Sequence, residues 1–375
     1  MPESLHAIRL FYAAYFAAMG LILPYFPVYL SSLGLSAAMV GVVAGLLTLA
    51  KLIAPPFAGL WLDKKQLPVG GFIAVASLAA AICMATTGWL SSSIVALAIG
   101  VFVFGMLYAA ILPLADSISI HLSEMELSDY GRLRVWGSLG FIAASGLGGW
   151  ILAPLQIGLF PFLLAGLMLF MAMAGKWFPA MAAPSSEEVT YAFDLRLYGL
   201  FVLAFLMQAS HGAYYGFFSL YLLDHGFVGW QVGGLWVIGV LAEVVLMWMA
   251  SAWVQKALFI PVMSACLILA SLRWLGLAMS TELFVLVALQ LLHAASFAAF
   301  HISAVTHVRK WAPANRHASA QGWYSAAGFG LGSTVGIMGC GIIVQTAGFS
   351  AAFLVCAVIA LCGLIPLKWM VKTSD

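Results

Sequence analysis

The sequence predicts an all-helical membrane protein with twelve transmembrane helices. Hydrophobic residues make up 64% of the 375 residues and charged residues only 7%, which leaves too little polar surface to cover a globule in water. A helix needs roughly 20 apolar residues to cross the hydrocarbon core, and irregular backbone is not stable there. We therefore interpret the long apolar runs as transmembrane helices joined by short loops.

Twelve apolar runs account for the length of the chain. In order, they cover residues 9–30, 38–60, 69–90, 93–115, 134–153, 157–178, 198–222, 229–254, 258–280, 283–306, 318–343 and 349–370. The even number places both termini on one side of the membrane. Lys and Arg are concentrated at the helix ends on that side, which the positive-inside rule assigns to the cytoplasm. The sequence therefore predicts a multi-pass membrane protein with both termini cytoplasmic.

One polar segment divides the chain into two halves. It predicts a cytoplasmic linker at 179–197, between an N-terminal six-helix bundle at 1–178 and a C-terminal six-helix bundle at 198–375. Related motifs occur in both halves, since RVWGS opens the fifth predicted helix and QGWYS opens the eleventh. A duplicated six-helix unit would produce this correspondence.

Few ionisable residues lie inside the predicted helices. Lys51, Glu243 and Arg273 lie well inside helices two, eight and nine, and Asp116 lies at the cytoplasmic end of helix four. A charge near the bilayer centre costs at least about 2.5–3.5 kcal/mol, so each is expected to have a partner or a function. A structural ion pair between Lys51 and Glu243 is one interpretation, and a proton-carrying Glu243 is the other. Arg273 is expected either to pair with Glu243 or to bind a substrate carboxylate.

Polar and aromatic side chains recur at helical spacing on two of the predicted helices. Each set shares one helix face and is expected to line a cavity, although hydrogen bonding between helices is an alternative role for any single histidine. The sets are Gln208, His211 and Tyr215 on helix seven, and Gln290, His293, Phe297 and His301 on helix ten.

Motifs of enzymes, metal sites and nucleotide sites are absent from the sequence. The histidines lack H-E-x-x-H spacing, no serine lies in a G-x-S-x-G turn, and there is no phosphate-binding loop. We therefore expect no catalytic residues, no metal and no cofactor, and transport driven by a gradient. The net charge of +2 reflects topology and implies no nucleic-acid partner. The expected partners are a small-molecule substrate, protons and the lipid bilayer, and the expected state is a monomer.

Several motifs resemble those of one group of transporters. GLWLDKK at 59–65 resembles the cytoplasmic signature of the major facilitator superfamily. LPLAD at 112–116, DYGRLRVWGSLGF at 129–141 and QLLHAASFAAFH at 290–301 are similar to the bacterial 3-phenylpropionate and cinnamate permeases, a branch near the lactose and nucleoside proton symporters. The resemblance covers essentially the whole chain. Lys51 stands where that branch tends to have Arg, which keeps the charge but loses the planar fork.

The resemblance implies the major facilitator fold and proton-coupled symport of a small aromatic carboxylate by alternating access. Symport of a sugar or nucleoside and export of a drug or metabolite are alternatives, and a membrane sensor that does not transport is the alternative from another class. The residues predicted to bind substrate are Arg273, Lys51, His211, Tyr215, Gln290 and Phe297. Those predicted to couple protons are Glu243, His293 and Asp116, and those predicted to act in conformational change or gating are Asp63, Arg134 and Trp136.

Overall fold

The computed structural model describes residues 2–65, 67–152, 156–179, 193–313 and 316–372. Within these ranges the chain is almost entirely helical, as the apolar composition requires of a chain in lipid. Eight of the helices are at least 18 residues long and apolar enough to cross a membrane by themselves. Most of the linker predicted at 179–197 lies outside the described residues, so the three-part domain division remains a prediction.

In the described part of the first half, six helices correspond to the predicted membrane crossings. They are α1 (Pro2–Ser32), α2 (Ala37–Lys65), α3 (Val69–Ala85), α4 (Ile94–Glu124), α5 (Tyr130–Ile151) and α6 (Phe160–Gly175). A short helix at Thr87–Leu90 and a single 3-10 turn at Ile157–Leu159 lie in the connections.

In the second half, several crossings consist of more than one segment. Helix α7 comprises Leu195–Ser210 and Gly212–Asp224, α8 is Gly229–Lys256, and α9 is Phe259–Met279. Helix α10 comprises Leu283–Leu291, the π-helical segment Ala294–Ala299 and Phe300–Trp311. Helix α11 begins with His317–Ser325 and the π-helical segment Ala326–Gly332, and continues into the helix Ser333–Cys362. That helix is bent at Gly348, where α11 ends and α12 begins, and α12 extends through Leu364–Lys372. The predicted architecture of twelve crossing helices is confirmed.

Two helix ends show why the chain turns where it does. Gly34 follows α1 and Gly226 follows α7, and both have a φ of +83°, the left-handed conformation that glycine adopts without steric cost. At the other end of α7, Asp194 caps the helix by accepting a hydrogen bond from the backbone N–H of Arg196 at 3.0 Å. The two glycines hold equivalent positions in the two halves, as a duplicated unit predicts.

The chain forms two compact units that are assembled from separate stretches of sequence. The first contains Met1–Gly34, Leu46–Glu188 and Val228–Gly233, and the second contains Leu35–Gly45, Val189–Phe227 and Gly234–Asp375. Helices α2 and α8 therefore contribute residues to both units. The remaining crossings each belong to one unit.

Glycines allow close helix packing inside each unit. In the first unit, Gly140 of α5 lies against the backbone of Ala13 of α1. In the second, Gly336 of α11 lies against the backbone of Ala209 of α7, so that a methyl group at either glycine would overlap backbone atoms. Gly339, three residues further along α11, has open space where a Cβ would lie. Small residues at such contacts let helices in lipid approach closely and gain van der Waals attraction.

Candidate functional site

A buried polar cluster in the second unit is built around Arg273 of α9. The side chain of Arg273 is fully buried, and it donates hydrogen bonds to His293 Nδ1 and to Gln290 Oε1, each at 2.7 Å. Tyr214 of α7 also donates to Gln290 Oε1, at 3.1 Å. Helices α7, α9 and α10 thus meet at a single buried cation, and an amide and an imidazole take up two of its N–H groups.

Two aromatic rings contact the same guanidinium group. Its central carbon lies 4.2 Å from the ring centroid of Tyr214 and 4.6 Å from that of Trp274. A desolvated cation over the face of such a ring gains about 2 kcal/mol or more, which offsets part of the cost of removing the charge from water. The rings also restrict the guanidinium group to the plane in which it contacts His293 and Gln290.

The other nitrogen of His293 contacts the carboxylate of Glu243 on α8. His293 Nε2 lies 2.6 Å from Glu243 Oε1, and only 5% and 13% of the two side chains are exposed. Arginine can only donate hydrogen bonds, so His293 Nδ1 must be an acceptor. In a neutral imidazole the proton then lies on Nε2, which donates to Glu243 Oε1. The direction of donation is therefore fixed along the chain from Arg273 through His293 to Glu243.

Further donors of the cluster have no hydrogen-bond partner among the residues that the structure describes. They are Arg273 Nε, Gln290 Nε2 and Trp274 Nε1, all of them buried. A buried N–H group without a partner costs about 1–3 kcal/mol. Three such donors around one cation match a ligand that is rich in acceptors, and a carboxylate is the simplest group of this kind.

His211 and Tyr215, which were predicted to bind substrate, lie beside this cluster. The fully buried His211 donates from Nδ1 to the carbonyl oxygen of Met207 at 2.8 Å. Its ring lies 4.9 Å from that of Trp274 and 5.9 Å from that of His293, centroid to centroid. Tyr215 is half-buried and its ring stacks on His211 at 5.4 Å.

A second polar cluster lies in the first unit. Asp116 of α4 accepts hydrogen bonds from Tyr12 at 2.6 Å and from Tyr130 at 3.2 Å, and it lies 3.9 Å from Arg134 Nε of α5. The guanidinium group of Arg134 lies over the ring of Phe16 at 3.9 Å. Asp116 and Arg134 were predicted to have separate roles, and the structure brings them together as a partly exposed ion pair.

The remaining predicted residues lie outside these two clusters or at their edges. Lys51 is half-buried on α2 and has no acidic partner in the described part of its unit. Trp136 is 44% exposed on α5, and Phe297 stacks on His293 at a centroid distance of 5.5 Å. The side chain of Asp63 is outside the described residues. Nor does the described part of the chain contain a group of three or more His, Cys, Asp or Glu side chains able to hold a metal.

Sequence reasoning missed two residues of the clusters. Trp274 follows Arg273 directly, and Tyr130 precedes Arg134 by one helical turn. The i, i+4 spacing of Tyr130 and Arg134 places both on one face of α5 and was the available signal. For Trp274, the sequence carries no comparable signal, because neighbours in a helix normally point in different directions.

Comparisons with known proteins point to one group of transporters. The sequence profile of the MFS_1 like family matches residues 5–355. A probable 3-phenylpropionic acid transporter of Escherichia coli (strain K12) is 25% identical over 321 residues, which are 82% of this chain and 82% of that protein. The maltose permease of Geobacillus stearothermophilus is 24% identical over 370 residues, which are 97% and 93% of the two chains.

Solved structures agree with this grouping at the level of the fold. The crystal structure of the nucleoside transporter NupG superposes with a TM-score of 0.83 at 20% identity and covers 99% of this chain and 100% of its own. A bacterial homologue of the human lysosomal transporter Spinster superposes with a TM-score of 0.77 at 13% identity, over 99% and 96% of the two chains. Identities this low show a shared fold and leave the transported substrate open.

Proposed function

The chain belongs to the MFS_1 like family of membrane transporters, and from that premise we propose that it is a secondary active symporter of a small carboxylate and protons. Membership in the family makes it a multi-pass transport protein rather than an enzyme. The proposed mechanism is alternating access, in which the two halves expose a central site to either side of the membrane in turn. We further propose a monomer in the bacterial inner membrane with both termini cytoplasmic.

The hydrogen-bond chain from Arg273 through His293 to Glu243 is the observation that carries this proposal. If His293 takes up a proton at Nδ1, two donors face each other across the 2.7 Å contact with Arg273, and that contact must break. In the proposed bound state the carboxylate replaces His293 Nδ1 as the acceptor of the Arg273 Nη1 N–H, which leaves Nδ1 free to accept the proton. Anion binding and proton binding therefore favour each other, and the coupling must be reciprocal.

Charge balance supports the same coupling. In the described part of the second unit, the buried cluster holds the positive Arg273 and the negative Glu243, so it is neutral when His293 is neutral. Adding a carboxylate alone would leave one uncompensated negative charge in a poorly solvated place, which is costly. One proton restores neutrality, so one-to-one symport is electroneutral and is driven by the pH difference, about 1.4 kcal/mol per unit.

We assign the residues as follows. Arg273 and Gln290 bind the carboxylate, and His211, Tyr215 and Phe297 surround the rest of the substrate. Lys51, which lies in the first unit, is a separate proposal for substrate binding. Glu243 and His293 carry the proton. Asp116, which forms an ion pair with Arg134, is also proposed to take part in proton coupling. Arg134, Asp63 and Trp136 are proposed to act in the conformational change. An aromatic carboxylate is the substrate class we favour, because the relative in Escherichia coli is described as a probable 3-phenylpropionic acid transporter.

A sugar or nucleoside symporter is the second candidate. The maltose permease is nearly as similar in sequence and covers more of the chain. In addition, the first unit holds a set of hydroxyl and carboxylate groups in which Asp116 and Tyr130 are partly exposed and Tyr12 is buried, and such groups bind sugar hydroxyls. This candidate predicts that a hydroxyl-bearing substrate would bind without any need for Arg273.

Uptake into proteoliposomes tests the proposal. Purified protein would be offered radiolabelled 3-phenylpropionate with and without an inward proton gradient and with a protonophore. We expect gradient-dependent uptake that is lost in Arg273→Gln and kept in the matched control Arg309→Gln, an exposed residue at the end of α10. Gel filtration would show that both variants are folded. Lack of any uptake by the unaltered protein would overturn the carboxylate assignment, and the same vesicles would then be offered sugars and nucleosides.

A further inference from the structure

Four aromatic side chains form a cluster next to the polar site, on α10 and α11 of the second unit. The ring of Phe297 lies 6.1 Å from that of Phe329, edge to face, and 6.2 Å from that of His301, nearly parallel. Tyr324 contacts both His301 and Phe329, and its hydroxyl group lies 3.0 Å from His301 Nδ1. Tyr324 is buried, whereas the other three rings are only half-buried. Tyr324 is thus enclosed by the protein, whereas the rings of Phe297, His301 and Phe329 are each partly accessible.

The backbone has the same unusual conformation at Phe297 and at Phe329. Phe297 lies in the π-helical segment Ala294–Ala299, and Phe329 lies in the π-helical segment Ala326–Gly332. The π-helix is rare, and its wide turns are found mostly at functional sites. Each phenylalanine is the only aromatic residue of its segment, which otherwise contains only Ala, Ser, Gly and one Leu. The small residues let these segments pack closely on neighbouring helices, since a Cβ at Gly332 would meet the backbone of Phe205 on α7.

The aromatic cluster is continuous with the cation of the polar site. His293 accepts a hydrogen bond from Arg273 at 2.7 Å, and its ring also stacks on that of Phe297 at a centroid distance of 5.5 Å. His293 therefore links the cation to the first ring of the aromatic cluster. A carboxylate joined to an aryl ring by two or three carbon–carbon bonds separates its two groups by roughly 4–6 Å, which is the scale of the 5.5 Å between the rings of His293 and Phe297.

We infer that Phe297 and Phe329 form the subsite for the aryl ring of a small aryl carboxylate whose carboxylate group binds Arg273. Edge-to-face and offset-stacked contacts favour an aromatic ring over a saturated ring of the same size, because the ring quadrupoles attract. His301, which is stacked parallel to Phe297 and held by Tyr324, supports the subsite from the cytoplasmic side of α10. This inference rests on the proposed function and adds a specificity-determining residue, Phe329, to it.

Binding of two acids of matched length tests the subsite. The probes are 3-phenylpropionate and 3-cyclohexylpropionate, which share the carboxylate and the chain and differ in aromaticity. Calorimetric titration of the purified full-length protein would give the ratio of their two dissociation constants. The variants are Phe329→Leu and Phe297→Leu, which keep an apolar side chain, and the control is Phe300→Leu, a buried residue of α10 outside the cluster.

We expect the unaltered protein to prefer the aromatic acid. The preference should fall about 3- to 10-fold in Phe329→Leu, the size of one aromatic pair contact, and should also fall in Phe297→Leu but not in Phe300→Leu. Equal affinity for the two acids, or a preference that survives in both cluster variants, would overturn the subsite and leave carboxylate binding at Arg273 standing. Failure of the unaltered protein to bind either acid would overturn the subsite and the proposed function together.

Discussion

Replacing His293 with glutamine separates anion binding from proton binding. A glutamine side chain offers a carbonyl oxygen to Arg273 and an amide N–H group to Glu243, so both hydrogen bonds of the neutral histidine are retained. It cannot take up a proton. We therefore expect His293→Gln to fold and to bind the carboxylate, but to lose the dependence of binding on pH.

The size of the pH effect on binding follows from the number of imidazole nitrogens that anion binding frees to accept a proton. The contact with Arg273 occupies one imidazole nitrogen, so each bound anion frees a single site for one proton. One proton per anion makes the dissociation constant rise about tenfold per pH unit, or about 100-fold over two units, equivalent to about 2.7 kcal/mol. In His293→Gln the change over the same two units should be less than about twofold.

Calorimetry in two buffers of different ionisation enthalpy counts the protons taken up with 3-phenylpropionate. The matched control is His307→Gln, another buried histidine of α10, whose Nδ1 donates to Ser303 within its own helix at 2.8 Å. It should keep an uptake of one proton. The same uptake in His293→Gln would refute the argument from the fixed direction of donation, because the proton would then reside elsewhere.

Three further predictions concern stability. Within the cluster, Glu243 balances the charge of Arg273 through the intervening His293, and a buried charge left uncompensated costs about 3–5 kcal/mol. The melting temperature of Glu243→Gln in detergent should therefore fall well below that of the exposed control Glu282→Gln and recover in part with added 3-phenylpropionate. Equal melting of the two variants would contradict this. Gly336→Ala should lower the melting temperature, at a cost of about 1–3 kcal/mol, because the added Cβ would meet the backbone of α7. Gly339→Ala on the same helix, where a Cβ has open space, should change stability by no more than about 1 kcal/mol. A similar loss in both variants would show that packing is not the cause. Hydrogen bonds from Arg196 lower the pKa of Asp194 below its usual 3.8, so the stabilisation by this cap is present above that pH and is lost as the pH falls through the lowered pKa. Asp194→Ala should therefore cost about 0.5–2 kcal/mol at neutral pH, and its difference in melting temperature from the unaltered protein should shrink as the pH falls below 3.8. A difference that does not depend on pH would count against the cap.

The helices of this protein follow from its sequence more directly than its polar contacts do. Apolar runs of sufficient length have few alternatives in lipid, so the twelve crossings and the turn at Gly348 were predictable. The π-helical segments were not, because an apolar run with Ala and Gly fits an α-helix equally well. Their presence depends on contacts with other helices, since the segment in α10 packs on α9 and the segment in α11 packs on α7, and no local pattern records such contacts.

The partners inside the polar clusters were predicted only in outline. Glu243 and Arg273 were expected either to pair or to act separately, and the structure places His293 between them. Likewise Asp116 pairs with Arg134, although the two were expected to act apart. The sequence shows which residues are costly in lipid. Which of them become partners depends on how each helix is rotated about its own axis, and the sequence does not show that rotation.

The two π-helical segments have a consequence for comparing this chain with its relatives. A π-turn holds one residue more than an α-turn, so a relative that lacks a single residue in 294–299 or 326–332 would form an ordinary α-turn there. The extra residue is absorbed within the π-turn, so the helix beyond it would keep its orientation, whereas the side chains inside the segment would lie on different faces of the helix. A one-residue gap at either place in an alignment would thus mark a protein that presents a different side chain at this position, even where the phenylalanine itself is kept. Such gaps are a means of sorting relatives by the shape of the molecules they carry.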